Sequence, residues 1–291
     1  KHFGKGNVNI TAQSNSGLDI VSTGKVAAVD GNINITNEKD AMRIAGTVEN
    51  EKGTNEITNN GEGGAIISGT VTNNNGANNI TNNGQGGLTV TETGLVNNNN
   101  GTTTVTNNTG KLKVEEGGRI VNNNGQTSIT NNGDGGMEIA GLVNNKSGAT
   151  KLNNTNAALT VTETGKVQND NGELELANTG KDGMKIEGKV TTTNASDIKL
   201  TSNGADIIIG HDNTNNNVES GKDVIVNQTN GDVLNYGGEN SKDKTMIAAK
   251  SNLIMNVIDG NIGRTDNENP GFSVNASTRD YTDTLNINIG G

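Results

Sequence analysis

Along residues 18–209 the apolar positions recur in a fixed order: an alternating pair, a glycine, a single Val, Ile or Leu, a run rich in asparagine, then one more aliphatic. Residues 42–64 read MRIAGTVENEKGTNEITNNGEGG and residues 65–87 read AIISGTVTNNNGANNITNNGQGG. Copies start at Leu18, Met42, Ala65, Leu88, Leu112, Met137, Leu159, Met184 and Ile207, so the period is 22–25 residues. Self-similarity at such a period marks a repeat architecture.

Three short strands are predicted in each repeat. The first carries alternating aliphatics: Met42/Ile44, Ala65/Ile67, Leu88/Val90, Leu112/Val114, Met137/Ile139, Leu159/Val161 and Met184/Ile186. Period-2 alternation with β-branched residues is the signature of a strand with one face in and one out. The second carries Val26, Val48, Val71, Val96, Ile120, Val143, Val167 and Val190; the third carries Ile35, Ile57, Ile80, Val105, Ile129, Leu152, Leu176 and Leu200. Second to third is nine residues in every repeat except Val190 to Leu200, which is ten. First-strand start to second-strand aliphatic is six or eight. That difference is even, so longer corners such as VSTG, TETG and EEGG leave side-chain parity undisturbed.

Three strands per 22–25 residues, joined by Gly/Asn corners, predict an all-β, right-handed parallel β-helix (a solenoid). Coils would stack at about 4.8 Å, and nine of them would span roughly 40 Å. A narrow interior filled by stacked aliphatics explains why aromatic residues make up 1% of the chain. A single coil cannot bury its apolar side, so stability comes from its neighbours.

Asparagine keeps phase at two corners. Two residues after the second-strand aliphatic stand Asn50, Asn73, Asn98, Asn122, Asn145 and Asn169; two after the third stand Asn37, Asn59, Asn82, Asn107, Asn131, Asn154 and Asn178. Parity points them inward, where stacked amides can bond along the column, donor to acceptor.

The predicted organisation is regular coils over 1–209, an irregular segment or insertion over 210–245 with a coil near Val224–Val226, and further coils over 246–291, with Pro270 in a loop. The sequence opens mid-pattern, and the chain is expected to be a fragment of a longer fibre.

Composition sharpens this picture. Only 29% of residues are hydrophobic, which alone would suggest disorder. Disorder gives no reason for aliphatics to stay in phase. The net charge of −10 disfavours nucleic acid and anionic membranes as partners. No run of 18 apolar residues offers a membrane span, so no membrane insertion of this segment is expected. With no cysteine there is no disulfide framework and no thiol chemistry.

Parallel β-helices can carry polysaccharide-cleaving sites, which need paired carboxylates or acidic calcium ligands beside a basic partner. The outward column of the first strand is Asp19, Arg43, Ile66, Thr89, Lys113, Glu138, Thr160, Lys185: scattered and mixed in sign. Arginine occurs at Arg43, Arg119, Arg264 and Arg279 alone. His211–Asp212 reads as a solvated loop. Asp30-Gly31-Asn32 and Asp170-Asn171-Gly172 read as turns. The outward Thr36, Thr58, Thr81, Thr106, Thr130 and Thr201 read as a solvated strand face chosen for β propensity. No catalytic residue, metal site or cofactor is expected, and the chain is read as a non-enzyme.

The coils GLTVTETGLVNNNNG (87–101) and ALTVTETGKVQNDNG (158–172), with SNLIMNVIDGNIG (251–263), resemble the β-helical shafts of filamentous-haemagglutinin-like and leukotoxin-like exoproteins, bacterial type V secreted adhesins. The resemblance implies an extracellular segment at the bacterial cell surface. It would meet a host-cell, matrix or bacterial surface receptor, or its own copies along the fibre. Contacts are expected in 210–245 and at the longer corners near Ser22, Thr93, Glu115 and Thr164, because loops vary where coils cannot. Two other functions stay open: a polysaccharide-cleaving enzyme and a self-assembling structural fibre.

Overall fold

A computed structural model describes residues 5–211, 216–236, 246–265, 276–278 and 285–290. Every regular element among these residues is a β-strand. Residues 1–148 and 149–291 form two compact units. Each is a parallel β-solenoid with three strands per coil.

In the first unit, one sheet stacks the first strands Leu18–Ile20, Met42–Ile44, Ala65–Ile67, Leu88–Val90, Leu112–Val114 and Met137–Ile139. A second sheet stacks Lys25–Ala28, Thr47–Asn50, Thr70–Asn73, Leu95–Asn98, Arg119–Asn122 and Leu142–Asn145. The third stacks Val8–Ala12, Ile33–Asn37, Gly53–Asn59, Gly76–Asn82, Thr103–Asn107 and Thr127–Asn131. Like residue sits on like residue: Ile35 on Ile57, Ile57 on Ile80, Ile80 on Val105, Val105 on Ile129. These aliphatics are buried almost without exposure. Each such side chain stabilises the fold by about 1.5–3 kcal/mol relative to exposure. Because most rungs in this column have a neighbour of similar shape, the column fills without aromatic bulk.

The second unit repeats the plan. Leu159–Val161, Met184–Ile186, Ile207–Ile209, Val233–Asn235 and Ile262–Arg264 make one sheet. Lys166–Asn169, Lys189–Thr192, Val218–Ser220, Ile247–Ala249 and Ala276–Thr278 make another. Thr150–Asn154, Leu174–Asn178, Ile198–Asn203, Val224–Thr229, Leu253–Ile258 and Leu285–Gly290 make the third. The coil expected near Val224–Val226 is present and reaches beyond those three residues. Val218–Ser220, Val224–Thr229 and Val233–Asn235 form a complete coil, in register with the coil before it. The extra polar residues fall at 212–215 and 237–245, which lie outside the described residues, as do Pro270, Asp212 and Arg279.

Corner length does not disturb register. The eight-residue step from Leu18 to Val26 lies beside the six-residue step from Met42 to Val48, yet Ile20 pairs with Ile44 and Val26 with Val48. The longer corner closes on itself: Gly24, Gly94, Gly118 and Gly165 each donate N–H to the carbonyl three residues back, at 2.7, 2.9, 2.9 and 2.8 Å. In the shorter corner the two amides of Ser68 and Gly69 both reach the Ile44 carbonyl of the preceding coil, at 3.0 and 2.8 Å. The ten-residue step is absorbed in the same way. Asn194 and Ala195 take left-handed φ of 28° and 44°, and Leu176 still pairs with Leu200.

Deleting Glu92 and Thr93 together should therefore convert a long corner to the short form at a cost of about 1 kcal/mol or less, since both residues are exposed and the two hydrogen bonds lost, Gly94 N–H to the Thr91 carbonyl and the Thr93 hydroxyl to the Ser68 carbonyl, lie where water replaces them. Thermal unfolding checks this, and a drop larger than that of ordinary surface variants would show that corner length does set register.

Candidate functional site: the asparagine columns and the outer corners

Chain parity and the strand ends place the asparagines. In the third-strand column each amide Nδ2 donates to the Oδ1 of the next coil: Asn37 to Asn59 at 2.7 Å, Asn59 to Asn82 at 2.8 Å, Asn82 to Asn107 at 2.8 Å and Asn107 to Asn131 at 2.7 Å. In the second unit Asn154 donates to Asn178 at 2.6 Å. All seven side chains are fully buried. The other amide hydrogen binds a carbonyl of the following corner, as in Asn59 to Gly61 at 2.9 Å and Asn82 to Gly84 at 2.8 Å. One side chain thus ties its own turn and its neighbour coil at once.

The second-strand column behaves differently, and the expectation of a ladder there is corrected. Asn50, Asn73, Asn98, Asn122 and Asn145 each bridge two backbone carbonyls. One belongs to the corner glycine of the coil before: Gly31, Gly53, Gly76, Gly101 and Gly125. The other lies three or four residues ahead in the same coil: Thr54, Ala77, Thr102, Gln126 and Gly148. Asn169 likewise donates to the Glu173 carbonyl at 3.0 Å. This corner leaves glycine carbonyls turned inward, and a charge-neutral amide with two hydrogens satisfies both.

A third inward position was not singled out by sequence. It lies two residues before the third-strand aliphatic and holds Ile33, Asn55, Asn78, Thr103 and Thr127 in the first unit and Thr150, Leu174 and Ile198 in the second, all buried. Asn55 donates to Asn78 at 2.8 Å. Parity was the signal that could have found it, since a residue two before an inward one also faces in.

Outside, asparagine forms further columns. Asn83, Asn108 and Asn132 each donate to the Asn of the coil before, at 2.8, 2.7 and 3.0 Å. Asn99 donates to Asn74 at 2.6 Å and Asn123 to Asn99 at 2.8 Å. The first members cap onto carboxylates: Asn60 onto Glu38 at 3.1 Å and Asn74 onto Glu51 at 2.7 Å. Beside the former, Asn15, Glu38, Lys39, Asp40, Asn60 and Glu62 line an open polar depression.

Charges on the outer faces are paired rather than gathered. Lys25 meets Glu49, Lys111 meets Glu138, and Lys151 lies 3.2 Å from Glu175. Partial burial pushes the Glu138 carboxyl up, but Lys111 and Lys113 outweigh it and hold the group below its ordinary value. Lys222 is raised above the usual lysine value, first by its hydrogen bond to Asp197 and then by the charges of Asp197 and Asp223. Among the described residues no group of three or more His, Cys, Asp or Glu could hold a metal ion, and no helix is long and apolar enough to cross a membrane.

The longer corners place Ser22, Thr93 and Thr164 in solvent and Glu115 half-buried. His211 is not the solvated loop residue expected. Its ring stacks on Tyr236 with centroids 5.7 Å apart and planes 16° from parallel, and its Nδ1 lies 3.6 Å from Glu163 of a long corner. Gly31, the centre of Asp30-Gly31-Asn32, sits at φ 131°, a corner conformation. No family model, curated protein or solved structure matches this chain.

Proposed function

We propose that this chain is a non-enzymatic segment of an extracellular adhesin or surface fibre, of the filamentous-haemagglutinin-like kind that its coils resemble. One observation carries the reading: the inner face repeats coil upon coil in register, while length and chemistry vary at the outward corners. A scaffold of this kind holds variable loops outside at little cost to stability, which suits attachment to a receptor on a host cell, the matrix or another bacterium. The contact regions are the long corners at Ser22, Thr93, Glu115 and Thr164, together with the His211–Tyr236 stack beside Glu163. The net charge of −10 supports a protein or neutral glycan partner over a polyanion.

The test is to incubate the purified protein with acidic and neutral polysaccharides, then with epithelial cells and matrix proteins. Saturable binding without cleavage is the expected result. Release of shortened glycan would replace the adhesin by a polysaccharide-cleaving enzyme. No binding, together with end-to-end polymerisation, would replace it by a self-assembling structural fibre.

A further inference from the structure

One cluster belongs neither to the columns nor to the long corners. Lys189 opens the strand Lys189–Thr192, whose neighbour is Val218–Ser220. Val190 pairs with Val218 and Thr191 with Glu219, so Lys189 stands beside residues 216–217. Its Nζ donates to the Asn216 backbone carbonyl at 3.2 Å, and the Asn216 Nδ2 donates to Glu219 Oε2 at 3.2 Å. The Lys189 amine therefore lies at the backbone carbonyl of Asn216 and the Glu219 carboxylate at its side-chain amide, and Asn216 is held at a left-handed φ of 51°.

We propose that Lys189 and Asn216 become joined by an intramolecular amide bond, with Glu219 carrying the protons. The Lys189 ammonium passes one proton to the Glu219 carboxylate, and the freed amine attacks Asn216 Cγ. A Nζ–Cγ bond forms, and the Cγ–Nδ2 bond then breaks. Two protons in all move from Nζ to Nδ2 by way of Glu219, so nitrogen leaves as ammonium and Glu219 ends as the carboxylate it began. No oxidant or outside reagent is needed.

Two features favour the step. Partial burial pushes the Lys189 ammonium below the usual lysine value; Glu219 opposes this, and Lys166 adds to it. Lys166 pairs with Lys189 in the adjacent coil, so two like charges are stacked one strand spacing apart and the neutral amine is favoured. Placement also gives the bond a use. At the far end of the same two strands the inward asparagines give way to Thr192 and Ser220, and the chain between the strands carries the residues that break the repeat. Beside the buried Asn217, whose amide already donates to the Glu187 and Gly188 carbonyls at 2.7 and 3.0 Å, a covalent tie would add a second link between the two coils.

Trypsin digestion of the purified chain with mass analysis tests this. The expected product is a branched peptide, 186–199 joined to 200–222, lighter than the two together by one ammonia and uncut after Lys189. It should be absent from Lys189→Arg and Asn216→Ala, and form at least tenfold more slowly in Glu219→Gln. Both lysine and glutamate variants keep their hydrogen-bonding reach, so folding is preserved. Separate linear peptides with cleavage after Lys189 would overturn the proposal. So would an ammonia loss confined to the linear 200–222 peptide, since Asn203-Gly204 can lose ammonia by closing on its own backbone. Formation in Glu219→Gln at the rate of the unchanged chain would overturn the role given to Glu219.

Discussion

Asn82→Leu should destabilise the protein by about 3 kcal/mol or more, whereas Asn75→Leu should cost about 0.5 kcal/mol or less. Asn82 is fully buried and takes part in four hydrogen bonds: it accepts from Asn59 and from the Gly84 N–H, and it donates to Asn107 and to the Gly84 carbonyl. Leucine is close in volume and apolar, so the site stays filled. What it removes is the partner of one Asn59 hydrogen, of the Asn107 oxygen and of both backbone groups of Gly84. Each buried group left unsatisfied costs about 1–3 kcal/mol, and the gain from burying leucine offsets only part of the sum. Asn75 is exposed, and its bonds to the Glu51 carbonyl and from Asn100 are both 3.3 Å long, so water replaces them readily. Chemical denaturation of the two variants side by side decides it. Equal losses would mean that the inner column contributes no more than its outer counterpart.

Gly101→Ala should cost more than Gly204→Ala, about 3–5 kcal/mol against about 1–2 kcal/mol. Both glycines have positive φ, 128° and 102°, where an L side chain is strained. They differ in surroundings. A Cβ at Gly101 would lie 1.9 Å from the Gly76 carbonyl oxygen, whereas a Cβ at Gly204 meets nothing within 4 Å. Gly76, Gly101 and Gly125 form a stack in which the backbones of successive coils approach as closely as the strand spacing demands. The Gly101 N–H also donates to the Asn124 carbonyl at 2.7 Å, so the corner cannot swing outward without losing a coil-to-coil bond. The two variants thus separate backbone strain from steric exclusion, and equal melting temperatures would show that the stack has room to yield.

The sequence by itself determined the coil. Alternating pairs such as Met42/Ile44, single aliphatics such as Val48 and Ile57, and their nearly constant spacing were enough to place three strands per repeat, because a side-chain period of two leaves one parity that buries them all. The same parity put Asn37, Asn59, Asn82 and Asn107 inside. Tertiary structure alone decided what those amides bind. The third-strand column donates amide to amide because Asn sits over Asn at the strand end. The second-strand column instead meets inward-turned glycine carbonyls, which compete for the same hydrogens and win. No spacing distinguishes the two cases, since both stand two residues past an aliphatic. The stacking of His211 on Tyr236, the meeting of Lys189, Asn216 and Glu219, and the continuation of the coil through Val218–Asn235 join residues that insertions separate along the chain. A repeat period reports which positions recur. It says nothing about positions that occur once, and those are brought together only when one coil settles on the next.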